Sequence, residues 1–545
     1  MRFSIGTDDF RKLRTIKSET GQLCFYCDKS LLIKDIIDDG SEVIVLPRPR
    51  RFGKTLNLSM LKYFFDSTED NTALFSDLKI AEHKNIMEQW QGKYPVVFIS
   101  FKSLRSKNFE EFKKKLKVSI RDCYQNFEYL KTSPQLTELG KNQIKPYFSS
   151  NFDDVQFDNA LKYLTEALEK HHGQKTMILI DEYDTPLQDA YVKGFFKDAI
   201  EPFRNMLGEV LKGNESIYKG IITGITRIAK ESLFSGVNNL QVYDITDNRY
   251  AEYFGFTEED IKLVCEPAHL SDLREWYNGY TFGDNLTIYN PWSVLNFLSK
   301  NYKFSPYWIN ASSNDIIKDS LTVDKLADVK ALIDGQSLTV EIEPFTVMDN
   351  LRTNPNSFWN LCFMAGFLTW DKDKNLRIPN KEIQYFFEKI VLQWFGGGEE
   401  HDYFKEFLDA LLGGDGDGVQ SILSKIVDEA FSFMDVTKKK QESFYHGLLL
   451  GITLSLKKRY KVKSNRESGY GLYDIALFPK DLKKDPGVII EIKIKGSADD
   501  AVEQIQTQRY TTDLKEEGCQ IIYSYGMVFD KKKISTKMIV ERLSH

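Results

Sequence analysis

Val43-Ile44-Val45-Leu46-Pro47-Arg48-Pro49-Arg50-Arg51-Phe52-Gly53-Lys54-Thr55 is the stretch that decides how the N-terminal half of this chain is read. The aliphatic run Val43–Leu46 predicts a buried strand, a Pro- and Arg-rich loop follows, and Thr55–Phe65 reads as a helix. Phosphate binding needs backbone N–H groups at a helix N-terminus, a Lys for the β- and γ-phosphates and a hydroxyl for Mg²⁺. Gly53, Lys54 and Thr55 supply these in a strand–loop–helix context. The pattern departs from GxxxxGK[ST] at its first glycine, where Arg48 stands. Pro47 and Pro49 stiffen the loop and donate no N–H.

Outward from this stretch, short apolar runs alternate with amphipathic ones, as expected for parallel strands with crossover helices. Strands are predicted at Val43–Leu46, Val96–Phe101, Met177–Asp181, Tyr218–Thr223 and Leu240–Ile245. Helices are predicted at Thr55–Phe65, Phe109–Phe127, Phe157–His171 and Phe195–Leu211. The third strand delivers Asp181 and Glu182 at its tip, suited to holding Mg²⁺ through water and to polarising an attacking water, respectively. The fourth ends Thr223-Gly224-Ile225-Thr226-Arg227, whose Arg reads as a sensor of a terminal phosphate, as a stabiliser of transition-state charge or, equally, as a surface residue. The expectation is a P-loop NTPase with a parallel sheet and helices on both faces. Its candidate ATP ligands are Arg51, Phe52, Gly53, Lys54, Thr55, Asp181 and Arg227, with Thr55 and Asp181 on the metal and Glu182 catalytic.

The chain has 545 residues, 42% hydrophobic and 28% charged, with 15 Pro and 33 Gly. That composition excludes disordered and collagenous classes, and the length suggests about three or four domains. No apolar run reaches the roughly 18 residues of a membrane helix, and the N-terminus has no uninterrupted apolar stretch of the kind a secretory signal carries. The six Cys are scattered, and Cys24 and Cys27 form a lone CxxC with no second pair for zinc. A reduced, cytoplasmic protein is expected, with no membrane partner. The net charge of −6 argues against whole-protein affinity for nucleic acid. A local patch remains: Val436–Tyr470 carries nine Lys or Arg against Glu442 and Glu467. Alone, it reads equally as a solvated basic face.

Residues 249–395 read as a helical lid or winged-helix-like accessory region. Thr257-Glu258-Glu259-Asp260 opens a helix, and Tyr289-Asn290-Pro291-Trp292 marks an ordered turn. Gly396–Glu400 is the linker candidate, and Gly413–Gly418 a turn between helices. The domain bounds are therefore 1–248, 249–395 and 396–545.

In the last segment, Gly471–Phe478 alternates as a strand. After a turn comes Val488-Ile489-Ile490-Glu491-Ile492-Lys493-Ile494-Lys495. Glu491, Lys493 and Lys495 share one face at period two, a costly row unless it lines a site. The alternative is an edge strand with protective charges. Asp474 and Glu491 suit one Mg²⁺, with Mn²⁺ as an alternative, and Lys493 suits the attacking water or the developing phosphorane charge. A predicted helix, Gln441–Leu456, places Glu442 to complete the acidic set beside His446. A following helix puts Gln504 and Gln508 on one face.

At these residues the chain resembles a bacterial and archaeal family that joins an AAA-ATPase-like domain to a PD-(D/E)xK nuclease-superfamily domain. The resemblance rests on Tyr26–Lys29, Arg48–Thr55, Leu179–Asp184, Gly224–Arg227, Glu442–Gly447, Ser464–Gly471, Tyr473–Ile475 and Glu491–Lys493. The loss of the first loop glycine is similar to the family's own variant. The family's phosphate-loop Lys and Thr fall on Lys54 and Thr55, its acids on Asp181 and Glu182, and its nuclease Asp, Glu and Lys on Asp474, Glu491 and Lys493. Leu472 stands where a basic residue usually precedes the Tyr-Asp pair. The resemblance implies ATP binding and an α/β nuclease-like fold at the C-terminus. The expected function is an ATPase coupled to Mg²⁺-dependent cleavage of nucleic acid, DNA ahead of RNA, with oligomerisation left open. The alternative is a nucleotide-gated switch or scaffold whose nuclease-like domain binds without cutting.

Overall fold

The structure is a computed structural model that describes residues 2–17, 21–225, 239–309, 315–321, 325–343, 354–395, 403–432, 445, 448–449, 452–453, 456, 458–468, 471–530 and 533–543. The chain forms two compact units, Met1–Ser320 with Ser337–Gln384, and Leu321–Gln336 with Tyr385–His545. The segment 249–395 is thus shared between them, most of it in the first.

The first unit is built on a five-stranded parallel sheet: β1 (Val43–Pro47), β2 (Val96–Ser100), β3 (Thr176–Asp181), β4 (Ile217–Gly224) and β5 (Leu240–Val242). Their order is β2-β3-β4-β1-β5. β1 and β3 are buried along their whole length, which is why they are written as unbroken apolar runs. Crossover helices Phe109–Gln125, Asp154–His172 and Phe196–Leu211 lie close to the expected positions. The second starts earlier than its apolar pattern because Asp153 and Gln156 form a capping box. β5 stops at Val242 rather than Ile245, since Asp244 accepts from the Thr246 N–H (2.8 Å) and turns the chain.

The rest of this unit is mostly helical. Thr257 and Asp260 make the expected capping box of Glu258–Lys262, and Asn290 caps Pro291–Ser299. Two small hairpins interrupt the helices: β6 (Tyr280–Phe282) with β7 (Leu286–Ile288), and β8 (Thr369–Trp370) with β9 (Leu376–Arg377). Phe256, Ile261, Leu273, Tyr277, Tyr289, Val294 and Phe297 bury one core with Cys27 from the N-terminal segment.

The second unit holds a mixed sheet in sequence order: β10 (Tyr460–Ser468), β11 (Gly471–Pro479), β12 (Gly487–Lys493), β13 (Ile521–Asp530) and β14 (Lys533–Arg542). Only β12 and β13 run parallel, joined by the crossover helices Ala498–Thr507 and Thr512–Glu516. Helices Tyr403–Gly413 and Gly416–Ser432 meet at the expected glycine turn, where Gly414 has φ +74°. The linker candidate Gly396–Glu400 and most of the predicted helix Gln441–Leu456, including Glu442 and His446, lie outside the described residues.

Two close approaches hold these sheets to their neighbours. A Cβ on Gly224 would sit 2.6 Å from the Tyr183 ring and 2.7 Å from Asp184 Oδ1. One on Gly526 would sit 2.5 Å from the Ala498 carbonyl. Gly224→Ala or Gly526→Ala should each cost about 1–3 kcal/mol in urea unfolding; wild-type stability in either would mean that the neighbouring atoms can shift freely. A separate expectation concerns Glu382, whose burial pushes its pKa from 4.5 up to about 8 against hydrogen bonds from Ser293, Trp308 and Ile309. A raised folded-state pKa gives stability that is complete below the unfolded value and lost as pH rises through about 8. Glu382→Gln should therefore lose less Tm than wild type between pH 5 and 8; equal losses would place the pH dependence elsewhere.

Candidate functional site

The loop after β1 is shaped from inside. Arg48, in the place of the first glycine, donates from its backbone N–H to Gly224 O (2.9 Å) and turns its side chain into the core. It is 0% exposed, with Nη1 donating to Pro47 O (2.8 Å) and Tyr243 O (2.7 Å). Its guanidinium lies 4.9 Å from the Phe254 ring centroid and 5.7 Å from that of Phe282, and burial lowers its pKa to about 10. Arg48 is thus a prop under the loop. Beyond it, Arg51 (φ +66°) and Gly53 (φ +89°) bend the chain into the N-terminus of the helix Lys54–Phe65. Lys54 is 3% exposed, and its Nζ donates to Arg48 O and Pro49 O at 3.1 Å each, with Glu182 Oε1 at 3.4 Å.

The tip of β3 meets this loop. Asp181 Oδ2 accepts from Thr55 Oγ1 (2.9 Å) and Ser100 Oγ (3.1 Å), and its Oδ1 from Thr223 Oγ1 (2.8 Å). Burial raises the Asp181 pKa, and neighbouring Glu182 adds to the rise against the bonds from the two threonines. Glu182 sits at φ +53°, a conformation that costs a non-glycine residue about 1–2 kcal/mol. Burial opposes its charge, but Lys54 and Arg50 outweigh it and hold the carboxyl below its usual range. Asp184 Oδ2 accepts from the Ile225 N–H (2.9 Å) and from Gln188 Nε2 (2.8 Å), and Gln188 Oε1 accepts from Arg50 Nη2 (3.3 Å). The loops after β1, β3 and β4 are therefore tied together.

A cavity of about 300 Å³ opens beside this cluster, lined by Arg51, Phe52, Gly53, Lys54, Thr55 and Glu182 and, elsewhere on its wall, by Asp8, Phe256 and Trp292. Of the expected ligands, Arg227 lies outside the described residues. Phe52 is completely buried against Tyr280 (5.0 Å) and Phe282 (5.6 Å), so only its backbone is placed for a ligand. Sequence reading missed Ser100 and Gln188. Ser100 had a signal, a hydroxyl on the last residue of an apolar strand, but only the strand order brings it to Asp181.

In the second unit, Ile475 pairs with Ile490, which brings Asp474 and Glu491 to the same end of neighbouring strands. β12 is the central strand, buried on both faces, so the edge-strand reading does not hold. The charged row is also shorter than expected: β12 ends at half-buried Lys493, and Lys495 is exposed beyond it. Glu491 is 5% exposed and its Oε1 accepts from Gln504 Nε2 (2.6 Å), which also reaches the Tyr510 hydroxyl (3.2 Å). Asp474 Oδ2 accepts from the Ile492 N–H (2.7 Å). Gln508 stands at the C-cap of the helix Ala498–Thr507, with its N–H bonded to Gln504 O one turn back. Among the described residues no group of three or more His, Cys, Asp or Glu stands ready for a metal, and Glu442 lies outside them. Within the basic stretch, Lys463 lies over the Phe478 ring (3.6 Å) near Glu517, and Arg459 pairs with Asp485 (2.5 Å). Those two cations serve the fold itself.

Comparison with known proteins finds a family model for a stretch of each unit. Residues 4–234 match the family model described as a predicted AAA-ATPase, and residues 440–538 match that of the PD-(D/E)XK nuclease superfamily. The chain is also 26% identical over 404 residues to a protein of Azotobacter chroococcum mcd 1 named "Uncharacterized protein in vnfD 5'region", covering 72% of this chain and 70% of that protein. Among the described residues no helix is long and apolar enough to cross a membrane. The loop, the strand tips and the mixed sheet thus belong to a chain that joins an AAA-ATPase-like domain to a PD-(D/E)XK nuclease-superfamily domain.

Proposed function

We propose that this protein binds ATP with Mg²⁺ at the tips of β1 and β3 and uses it to control Mg²⁺-dependent cleavage of nucleic acid, DNA ahead of RNA, by its C-terminal domain. The observation that carries the reading is the convergence of Thr55 on Asp181 and of Lys54 on Glu182, pairs drawn from loops far apart in the chain. A triphosphate suits a helix N-terminus with a buried Lys, and Mg²⁺ suits a hydroxyl beside a carboxylate. Arg51, Phe52 and Gly53 would offer backbone N–H groups, and Arg227 would reach the terminal phosphate. Glu182 would polarise the attacking water once Lys54 moves from it to phosphate. In this reading 1–248 is the nucleotide domain, 249–395 the accessory region and 396–545 the cutting domain.

At the second site, Asp474 and Glu491 would hold Mg²⁺ or Mn²⁺, which neutralises charge on the scissile phosphate when bound. Glu442 would add a third carboxylate. Lys493 would orient the water and stabilise the phosphorane-like charge, while Gln504 keeps the Glu491 carboxylate turned to its task.

One observation favours a second reading, a nucleotide-gated switch or scaffold. Lys54 is engaged by two loop carbonyls and Glu182, an arrangement that favours slow turnover.

Lys54→Ala should weaken ATP binding about 10- to 100-fold in calorimetry; unchanged affinity would place the nucleotide elsewhere. Lys493→Ala should lower Mg²⁺- or Mn²⁺-dependent cleavage of a mixed DNA and RNA panel about 10²–10³-fold with ATP binding kept, and Asp474→Asn should lose bound Mn²⁺. A wild-type protein that binds metal and ATP but cuts nothing would favour the switch.

A further inference from the structure

The carbonyls of the loop after β1 are held one by one. Lys54 Nζ takes those of Arg48 and Pro49, and the next, Arg50 O, accepts from the indole Nε1 of Trp308 at 3.0 Å. Trp308 belongs to none of the motifs and is 1% exposed, with Phe367 packed on it at 4.9 Å. Its backbone N–H donates to Glu382 Oε1 (2.6 Å), and Glu382 Oε2 is hydrogen-bonded with Ser293 Oγ (2.7 Å). Glu382 is completely buried in the first turn of the helix Lys381–Phe395, where the positive end of the helix dipole favours an acid. Asn380 begins that helix by accepting from the Ile383 N–H (3.1 Å).

A trans peptide points its C=O and the following N–H in opposite directions. Fixing Arg50 O on Trp308 therefore aims the Arg51 N–H away from Trp308, and Arg50 and Arg51 both line the cavity. Successive N–H groups turned to one side by a left-handed residue form an anion-binding concavity, and Arg51 has that conformation. Packing alone would need an aromatic surface here, which a phenyl ring, though smaller than the indole, also offers. The N–H is what reaches the carbonyl.

We propose, on the reading of this cavity as the nucleotide site, that Trp308 is a positioning residue for phosphate: its indole N–H fixes the Arg50–Arg51 peptide plane so that the Arg51 N–H faces bound phosphate, and Glu382 holds Trp308 at that height. Trp308 then takes part in nucleotide affinity without itself lining the cavity.

Trp308→Phe keeps a ring and removes the N–H. Binding of ATP and of adenosine to the full-length wild type and variant, by competition against a fluorescent ATP analogue, separates the roles. ATP affinity should fall about tenfold, the size of one oriented hydrogen bond, while adenosine, which has no phosphate, should bind unchanged. Glu382→Gln keeps an acceptor for the Trp308 N–H and should stay within about twofold of wild type for ATP, a shift well below that of one hydrogen bond. Unchanged ATP affinity in Trp308→Phe, or an equal fall for ATP and adenosine, would overturn the positioning role and leave packing. Wild-type protein that binds no ATP would overturn the nucleotide reading itself, an outcome recognised before any variant is compared.

Discussion

The buried carboxylate of Asp181 is the constraint around which the first unit is arranged. A carboxylate at the end of a buried strand is costly unless donors surround it. Here three hydroxyls do so, Ser100 from β2, Thr223 from β4 and Thr55 from the helix after β1. Each comes from a different element beside β3, so the strand order and the helix position are both needed to satisfy one side chain. The same bonds draw the loops after β1, β3 and β4 to one edge, where open parallel sheets bind ligands. Satisfying a structural demand and assembling a site are one event here.

The phosphate-type loop is stiff for a related reason. Its prolines lack N–H groups, its first glycine is replaced, and yet the chain must still bend twice into left-handed backbone. The segment that follows the sheet supplies the missing support, largely from the β6 strand. Arg48 is clasped by Phe254 and Phe282, Phe52 is wedged against Tyr280, and a Cβ on Gly366 would lie only 2.8 Å from Pro49. A loop that in other proteins relies on glycine is held here by aromatic packing from a segment more than 200 residues away in sequence.

The second unit solves a comparable problem with a glycine. Gly526 lets the helix Ala498–Thr507 approach β13 closely, and that approach puts Gln504 within 2.6 Å of Glu491 on the adjacent strand. A nearly buried carboxylate on the central strand of a sheet gains its donor from this helix. Lys493, at the last position of the strand, stays half-buried where a charged end can reach solvent.

Local pattern carried much of this. The apolar runs of β1 to β4 announced their strands to within a residue or two, and strand–loop–helix context singled out Lys54, Thr55, Asp181 and Glu182. Spacing of two put Glu491 and Lys493 on one strand face, with Asp474 on the strand before it. These are short-range signals, in which periodicity and neighbouring residues suffice. What sequence reading lacked depends on long-range packing. That Arg48 faces the core, that Lys495 falls off the strand and that Ser100 bonds Asp181 follow only from where other elements lie. The amino-acid sequence by itself determined which segments are strands and which side chains carry charge at their tips, because both are written in residues next to one another. Only the tertiary structure decided which of those side chains meet, and that Trp308 holds the loop, because a hydrogen bond between residues 258 positions apart leaves no local trace.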